Sequence, residues 1–242
     1  MLSRKALGGL SLCLIIGYAS VVTHASGQLT EVVAAAKVKF TGTGSASEHH
    51  SNEGVVLWLT PVDPAITTPS HDSARGRLQL AQKNKQFVPH LLVVQVGSVV
   101  DFPNLDPFFH NVFSLFNGKR FDLGLYESGS SRSVHFDRSG ISYIFCNIHP
   151  EMSAVIVSVP TPYFAMSSPA GNLIIHDVTP GTYTMHVWAM GSSGTNLATI
   201  GRRVSVSGNS LDLGTVALEV SVPAAHKNKF GEDYQAKKPS SY

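Results

Sequence analysis

The sequence predicts an all-β protein built from two β-sandwiches. Glycine (21 residues) and proline (13 residues) are frequent in the 242-residue chain. The apolar runs are short and are separated by turn residues at brief intervals, which is typical of β-sandwiches. With 43% hydrophobic and 14% charged residues, the chain has enough apolar side chains to bury a core, and its composition is not that of a disordered protein.

Residues 1–25 are predicted to be a secretory signal peptide. Arg4 and Lys5 provide the charged start, residues 6–22 form an apolar stretch, and Thr23-His24-Ala25 is a small-x-Ala cleavage site. An uncleaved membrane anchor is the weaker alternative, because the apolar stretch is short and broken by glycines. We therefore expect a periplasmic or secreted protein with no membrane span after signal cleavage.

Cleavage would change both the charge and the cysteine count. Losing Arg4 and Lys5 takes Lys+Arg from 18 to 16, against 16 Asp+Glu, so the mature chain is nearly neutral and we expect no nucleic-acid partner. Cys13 is lost as well, which leaves Cys146 as the only cysteine. An unpaired cysteine in an oxidising compartment needs a reason, and metal ligation is such a reason.

The strands that precede the central part of the chain belong to a first segment, residues 29–62. Alternating side chains predict a strand over 31–40, and a Val- and Leu-rich run predicts a buried strand over 55–59. A Gly/Ser-rich loop lies between them. The proline-rich stretch 61–75 that follows is predicted to be a linker or long loop.

Residues 76–159 form the central block, in which short strands alternate with turns. Within it, the polar stretch 118–131 is predicted to be a loop without a hydrophobic pattern. The strands are predicted over 76–81, 91–96, 99–102, a segment at His110, 133–136, 141–145 and 154–159.

The last part of the chain, residues 160–222, has a different pattern. A strand over 173–178 is followed by the turn Pro180-Gly181-Thr182-Tyr183 and a further strand. Closing strands are predicted over 202–206 and 210–222. The polar residues 223–242 are predicted to be a disordered tail.

The strongest functional signal is the segment Phe145-Cys146-Asn147-Ile148-His149-Pro150-Glu151-Met152. It spaces Cys146, His149 and Met152 by three residues, and His110 provides a second imidazole upstream. Taken singly, each of these residue types is more often a packing or surface residue. Taken together, two His, one Cys and one Met are the ligands of a blue-copper site, in which thiolate and thioether suit Cu(I) and imidazole suits both oxidation states.

Cys-x2-His-x2-Met, with a His-Asn pair shortly after Phe102-Pro103-Asn104, resembles the cupredoxin family over residues 76–159. The loop spacing is most similar to that of amicyanin. The resemblance implies a Greek-key β-sandwich that holds one type 1 copper ion through the four ligands His110, Cys146, His149 and Met152. It further implies a protein that carries single electrons between redox partner proteins through weak, transient docking.

The resemblance also assigns roles to residues beside these ligands. Asn111 would tie the His110 strand to the Cys146 loop, as the corresponding Asn does in the family. Phe145 would belong to the aromatic shell that helps to set the reduction potential. Pro150, with Phe108 and Phe109, would contribute to a hydrophobic docking patch around His149.

The last part of the chain resembles the carboxypeptidase regulatory-like, transthyretin-like β-sandwich, in its Gly-x-Leu strand and Pro-Gly-x-Tyr turn. The first half of such a sandwich would lie in residues 37–61, so we expect the copper domain to be inserted into it. The alternative is two domains in tandem. This two-part build is similar to that of periplasmic proteins described as methylamine-utilisation or plastocyanin-like.

Two other functions remain open. One is a copper carrier or sensor without a redox role; the other is a β-sandwich module that binds a partner or a glycan. Zinc is an alternative metal on ligand type, although Met is a poor zinc ligand. We expect a non-enzyme, because copper oxidases and nitrite reductases need extra His-x-His or His-Cys-His ligands, whereas Cys146 is flanked by Phe145 and Asn147.

The other histidines carry weaker signals. His49 and His50 are adjacent in a Ser-rich loop and are expected to be solvated. His90 opens a strand of the central block and is expected to be a surface or core residue. His176 and His186 alternate with apolar neighbours and are expected to point outward.

Overall fold

The structure is a computed structural model that describes residues 28–41, 51–68, 77–115, 118–192, 201–221 and 226–234. Within these ranges the regular secondary structure is entirely β, as the sequence predicts. No helix in the described part of the chain is long and apolar enough to cross a membrane. The predicted signal peptide and the pair His49 and His50 lie outside the described residues.

The strands are numbered in chain order. The first nine are β1 (Thr30–Phe40), β2 (Val55–Pro61), β3 (Leu78–Gln79), β4 (Ala81–Lys83), β5 (Gln86–Val88), β6 (Leu91–Gln95), β7 (Val99–Pro103), β8 (His110–Ser114) and β9 (Phe121–Tyr126). The last eight are β10 (Ser131–His135), β11 (Gly140–Cys146), β12 (Ser153–Val159), β13 (Phe164–Met166), β14 (Asn172–Val178), β15 (Gly181–Ala189), β16 (Arg202–Val206) and β17 (Ser210–Val220).

Strands from the beginning and the end of the chain form one sandwich, which we call the terminal sandwich. One sheet has the order β14-β1-β17 and the other has the order β13-β2-β15-β16. The strand β1 runs antiparallel to β14 and parallel to β17, about 180 residues away in sequence. Alternate side chains such as Val32, Leu57 and Leu218 point into the core that the two sheets enclose.

The remaining strands, β3 to β12, form the central sandwich. Its larger sheet has the order β6-β12-β11-β8-β9, and it faces the smaller sheet β10-β7-β3 and the hairpin β4-β5. The core between them contains Phe87, Phe102, Phe136 and Ile144, each with no exposed surface. The domain boundaries drawn from the sequence stay a prediction.

The strand β12 is buried on both faces, and its alternation explains how the two sandwiches meet. Ala154 and Ile156 point into the core of the central sandwich. Val155, Val157 and Val159 point the other way and pack with Val56 and Trp188 of the terminal sandwich. Because successive side chains of a strand point to opposite faces, a continuous apolar run such as this one serves two cores at once.

The stretch 118–131 differs from the sequence-based prediction, because it is not simply a loop. Residues Phe121–Tyr126 form β9, which pairs antiparallel with β8 and adds an edge strand to the larger sheet. Phe121, Leu123 and Leu125 alternate with Asp122 and Gly124, so the two-residue period of a strand is present in the sequence, although the prediction was a loop. The pairing is also irregular, since the register shifts between Asn111 and Phe113, as it does at a β-bulge.

Candidate metal centre

Two neighbouring strands bring the predicted ligands together. His110 is the first residue of β8, and Cys146 is the last residue of β11. The two strands are paired, with Cys146 opposite Val112 and Phe145 opposite Phe113. The imidazole at the start of β8 therefore lies beside the thiol at the end of β11, and the loop that leaves β11 carries His149 back over both.

The side chains of His110, Cys146 and His149 form a triangle of possible ligand atoms. The Sγ atom of Cys146 lies 3.6 Å from Nδ1 of His110 and 3.6 Å from Nδ1 of His149, and the two nitrogens lie 3.2 Å apart. A triangle with these sides has a circumscribed radius of about 2.0 Å, which matches a metal–nitrogen bond of about 2.0 Å. The three groups are the cluster of potential metal ligands found among the described residues.

The three side chains differ in their exposure to solvent. Cys146 and His110 have no exposed surface, whereas His149 is half-buried. One thiol and two imidazoles are a donor set that suits copper or zinc. A metal held here would therefore be shielded from solvent on two sides and approached from the side of His149.

The ligand loop is closed by backbone hydrogen bonds. The N–H of Cys146 donates to the carbonyl of Met152 at 3.3 Å, and the N–H of Met152 donates to the carbonyl of His149 at 3.1 Å. Met152 is fully buried in the same cluster as Cys146. The loop thus returns Met152 to the base of the site, while a bond from its thioether to a metal stays a prediction.

Asn111 connects the two strands, but through its backbone. Its carbonyl accepts a 2.9 Å hydrogen bond from the N–H of Asn147, the residue after Cys146. Its side-chain Nδ2 instead donates to Oδ1 of Asp122 on β9, at 2.6 Å. The Asn111 side chain therefore points toward the edge strand that the sequence did not predict, since β9 provides a carboxylate there.

A buried carboxylate lies behind His110. Oδ2 of Asp106 is 3.0 Å from Nε2 of His110, the ring nitrogen on the far side from Cys146. Burial works to raise the pKa of Asp106, but hydrogen bonds from the N–H of Lys85, from His110 and from the N–H of Asn84 outweigh it, so the pKa is below its usual value. Asp106 was not among the site residues predicted from the sequence, although it lies only four residues before the predicted ligand His110.

The C-terminal segment 226–234 lies against the ligand strand, while the prediction of a disordered tail over 223–242 stays a prediction and falls partly outside the described residues. The ring of His226 stacks on Phe145 with centroids 4.1 Å apart. The N–H of Lys229 donates to the side chain of Asn147 at 2.9 Å, and the hydroxyl of Tyr234 donates to the carbonyl of Cys146 at 2.6 Å. The segment is polar in sequence, and no local pattern predicts these contacts.

The C-terminal segment also reaches the edge strand β9. The ammonium of Lys229 lies 2.8 Å from Oδ2 of Asp122, whose other oxygen accepts from Asn111. Burial works to raise the pKa of Asp122, and the hydrogen bonds from Lys229 and Asn111 lower it below its usual value. Asp122 therefore joins the C-terminal segment to the strand that carries His110.

Phe108 packs against the half-buried ligand His149, and further apolar side chains lie near its loop. The ring of Phe108 lies 5.5 Å from that of His149 and 5.3 Å from that of His110. Phe109 is 52% exposed and Ile148 is 44% exposed, and Pro150 is also exposed. Of the predicted patch residues, Phe109 and Pro150 are thus exposed and Phe108 is half-buried, whereas Phe145 is buried beneath the C-terminal segment.

His90, His176 and His186 do not belong to this cluster. His90 is exposed, and His176 faces Glu31 on the surface at 3.3 Å. His186 is not simply outward-facing as predicted, because it stacks on Trp58 with centroids 5.0 Å apart and lines a cleft of about 450 Å³. Burial lowers the pKa of His186 below its usual value.

Comparison with known proteins finds similar solved structures. No protein-family model matches the chain, and no curated protein matches it. Among solved structures, a purple cupredoxin from Nitrosopumilus maritimus is 21% identical with a TM-score of 0.31, over 34% of this chain and 99% of that one. A reduced amicyanin variant is 22% identical with a TM-score of 0.33, over 38% of this chain and 97% of that one.

The similar structures also include an enzyme. A copper-containing nitrite reductase from Thermus scotoductus is 18% identical with a TM-score of 0.34, over 50% of this chain and 28% of that one. The sequence-based prediction of a non-enzyme is therefore withdrawn. The absence of extra His-x-His or His-Cys-His ligands distinguishes some copper enzymes from this chain, but it does not establish the enzyme status of the chain.

Proposed function

We propose that the protein is a periplasmic or secreted type 1 copper protein that carries single electrons between redox partner proteins. The single observation that supports this most directly is the triangle of His110, Cys146 and His149, in which the first two side chains are buried. A copper ion bound there would supply one-electron chemistry by alternating between Cu(II) and Cu(I).

The protein side chains would hold this centre with little rearrangement. Cys146 and His110 come from two paired strands, so their positions depend on the sheet. The hydrogen bonds that join Met152 to Cys146 and His149 close the loop that carries the third ligand. A rigid set of ligands favours electron transfer, because little structural change accompanies each change of charge.

Electrons would enter and leave at the His149 side. His149 is the half-buried ligand, and the accessible side chains Phe109, Ile148 and Pro150 lie at or near its loop. A small apolar surface of this kind suits weak, transient docking of a redox partner. Phe108, whose ring contacts both imidazoles, would exclude water from the metal.

The domain arrangement that we propose is an insertion. The central sandwich would be the copper domain, and the terminal sandwich would be the regulatory-like domain into which it is inserted. The pairing of β1 with β14 and β17, and of β2 with β13 and β15, supports this arrangement over a tandem one. The terminal sandwich would then present the copper domain to its partners on a fixed support.

Visible and electron paramagnetic resonance spectra of the mature protein after addition of Cu(II) test the function. We expect an intense thiolate-to-copper absorption band and a narrow hyperfine splitting. Cys146→Ser and His149→Ala should both lose them. His90→Ala is the matched control, since this histidine is exposed and lies outside the cluster, and it should keep the wild-type spectrum.

Other outcomes of the same copper titration would support a different function. A folded protein that stays colourless but binds Cu(I) would support a copper carrier or sensor instead. A folded protein that takes up copper in neither oxidation state would overturn both proposals. The terminal sandwich, including the cleft beside Trp58 and His186, would then become the place to search for a partner or glycan site.

A further inference from the structure

We propose that Asp106 is a positioning residue that sets which nitrogen of His110 faces the metal and favours Cu(II) over Cu(I) at the site. The inference rests on the proposed copper function. It concerns a contact that the ligand set alone does not include, namely the approach of Asp106 Oδ2 to Nε2 of His110 at 3.0 Å.

Asp106 is a buried charge with a full set of partners. Its side chain is 4% exposed, and a carboxylate in such a place is stable only when hydrogen bonds replace its water. The N–H of Asn84 donates to Oδ1 at 2.6 Å, and the N–H of Lys85 donates to Oδ2 at 2.9 Å. With the bond to His110, three N–H groups surround one carboxylate.

Two of these donors come from a strained turn. Asn84 and Lys85 connect β4 to β5, and both have a φ of +56°. Positive φ at both central residues is typical of a type I′ hairpin turn, and Asn tolerates it better than Lys. The energetic cost of this conformation is offset by the contact that it allows, because the two consecutive N–H groups converge on the same carboxylate.

Hydrogen bonds within the turn that contains Asp106 also hold this residue in place. The N–H of Asp106 donates to the side-chain oxygen of Asn104 at 3.0 Å, and the amide of Asn104 donates to the carbonyl of Phe108 at 2.8 Å. Asp106 therefore cannot follow His110 if the imidazole rotates. The carboxylate is a fixed point, and the imidazole must orient to it.

The orientation of His110 then follows from hydrogen bonding. An ionised carboxylate only accepts, so Nε2 of His110 carries the proton and Nδ1 keeps its lone pair. Nδ1 is the nitrogen that faces Cys146 and His149. The negative charge behind the ring also makes this nitrogen more basic. It stabilises Cu(II), which carries the higher positive charge, more than Cu(I).

The first test uses the wild-type protein without metal. Nitrogen-15 NMR of the histidine rings at mildly alkaline pH reports which nitrogen of neutral His110 bears the proton. We expect the Nε2-protonated form. A His110 ring protonated on Nδ1 would overturn the inference, and this measurement decides the point even if the wild-type protein binds no copper, a result that would count against the proposed function alone.

The second test compares two buried carboxylates in the copper-loaded protein. We expect Asp106→Asn to raise the reduction potential and to lower the Cu(II) affinity about 10- to 100-fold. Asp101→Asn is the matched control, since Asp101 is also buried but bonds to Arg77 and Ser133. It should leave both quantities unchanged. Equal potentials in wild type and folded, copper-loaded Asp106→Asn would overturn the inference while leaving the copper site in place.

Discussion

The phenol of Tyr234 donates a 2.6 Å hydrogen bond to the backbone carbonyl of Cys146, 88 residues earlier in the chain. The same hydroxyl lies 3.3 Å from Nδ1 of His226, which stacks on Phe145. The C-terminal segment thus contacts Phe145 and Cys146, which are the last two residues of the strand that carries the thiol. Its sequence distance from the site gives no hint of this contact.

Replacement of Tyr234 by Phe should lower the free energy of unfolding by about 0.5–1.5 kcal/mol, the usual net contribution of one hydrogen bond. Burial raises the pKa of Tyr234 to about 12, so the phenol remains a donor at neutral pH. Urea denaturation of the metal-free protein measures the change. Tyr143→Phe is the control, because Tyr143 is a half-buried tyrosine on β11 that packs between the sandwiches, and a loss as large for Tyr143→Phe would contradict the prediction.

Replacement of Met152 by Leu separates packing from ligation. Leu and Met have similar volumes, so the metal-free protein should lose less than about 1.5 kcal/mol of stability. If the Met152 thioether is the axial ligand, the copper form should have a higher reduction potential, because a weak donor to Cu(II) is removed. Protein-film voltammetry measures this potential.

The control for Met152→Leu is Met185→Leu, since Met185 is equally buried but belongs to the core of the terminal sandwich. It should leave the potential unchanged. A wild-type potential and spectrum in Met152→Leu would mean that the thioether is only a packing group.

Replacement of Gly171 by Ala should destabilise the terminal sandwich strongly. Gly171 has a φ of +92°, and an added Cβ would lie directly against the carbonyl of Ala36 on β1. Gly208→Ala is matched for conformation, with a φ of +74°, but an added Cβ there meets nothing within 4 Å. Gly208→Ala should therefore cost only about 1–2 kcal/mol for the backbone. Thermal unfolding of both variants tests this, and equal losses would contradict the close approach of β1.

Asp101 should contribute to the loss of folding stability at acid pH. The hydrogen bond from Ser133, opposed by burial and assisted by Arg77, lowers the pKa of Asp101 below its usual value. Its folded-state pKa is depressed, so its stabilising contribution is complete above the unfolded pKa of about 3.9 and is lost as the pH falls through the folded pKa. Asp101→Asn should therefore make the unfolding free energy less dependent on pH below about 4.

Urea denaturation at a series of pH values measures the dependence on Asp101. Ser133→Ala removes the hydrogen bond that contributes most to the shift, so it should weaken the same pH dependence in part. An acid transition that is identical in wild type and Asp101→Asn would show that other carboxylates govern it.

Much of the secondary structure could be predicted from the sequence because strands are favoured by patterns of neighbouring residues. Alternating or continuous apolar runs bounded by Gly, Pro and Asn mark strands such as β1, β2, β11 and β12. The prediction failed at β9, where the alternation of Phe121, Leu123 and Leu125 with Asp122 and Gly124 was taken for a polar loop and where the pairing with β8 is irregular. The three-residue spacing of Cys146 and His149 was likewise visible, because both lie in one loop.

The sequence by itself determined the all-β class, most of the strands and the ligand-type residues that a single short loop brings together. Only the tertiary structure decided that β1 lies beside β17, that the Asn84–Lys85 turn holds Asp106 behind His110, and that Tyr234 reaches Cys146. The physical reason is that side-chain alternation and loop spacing act over a few residues. Strand pairing and buried hydrogen bonds join residues far apart in the chain, and their energy appears only when the whole fold brings them together.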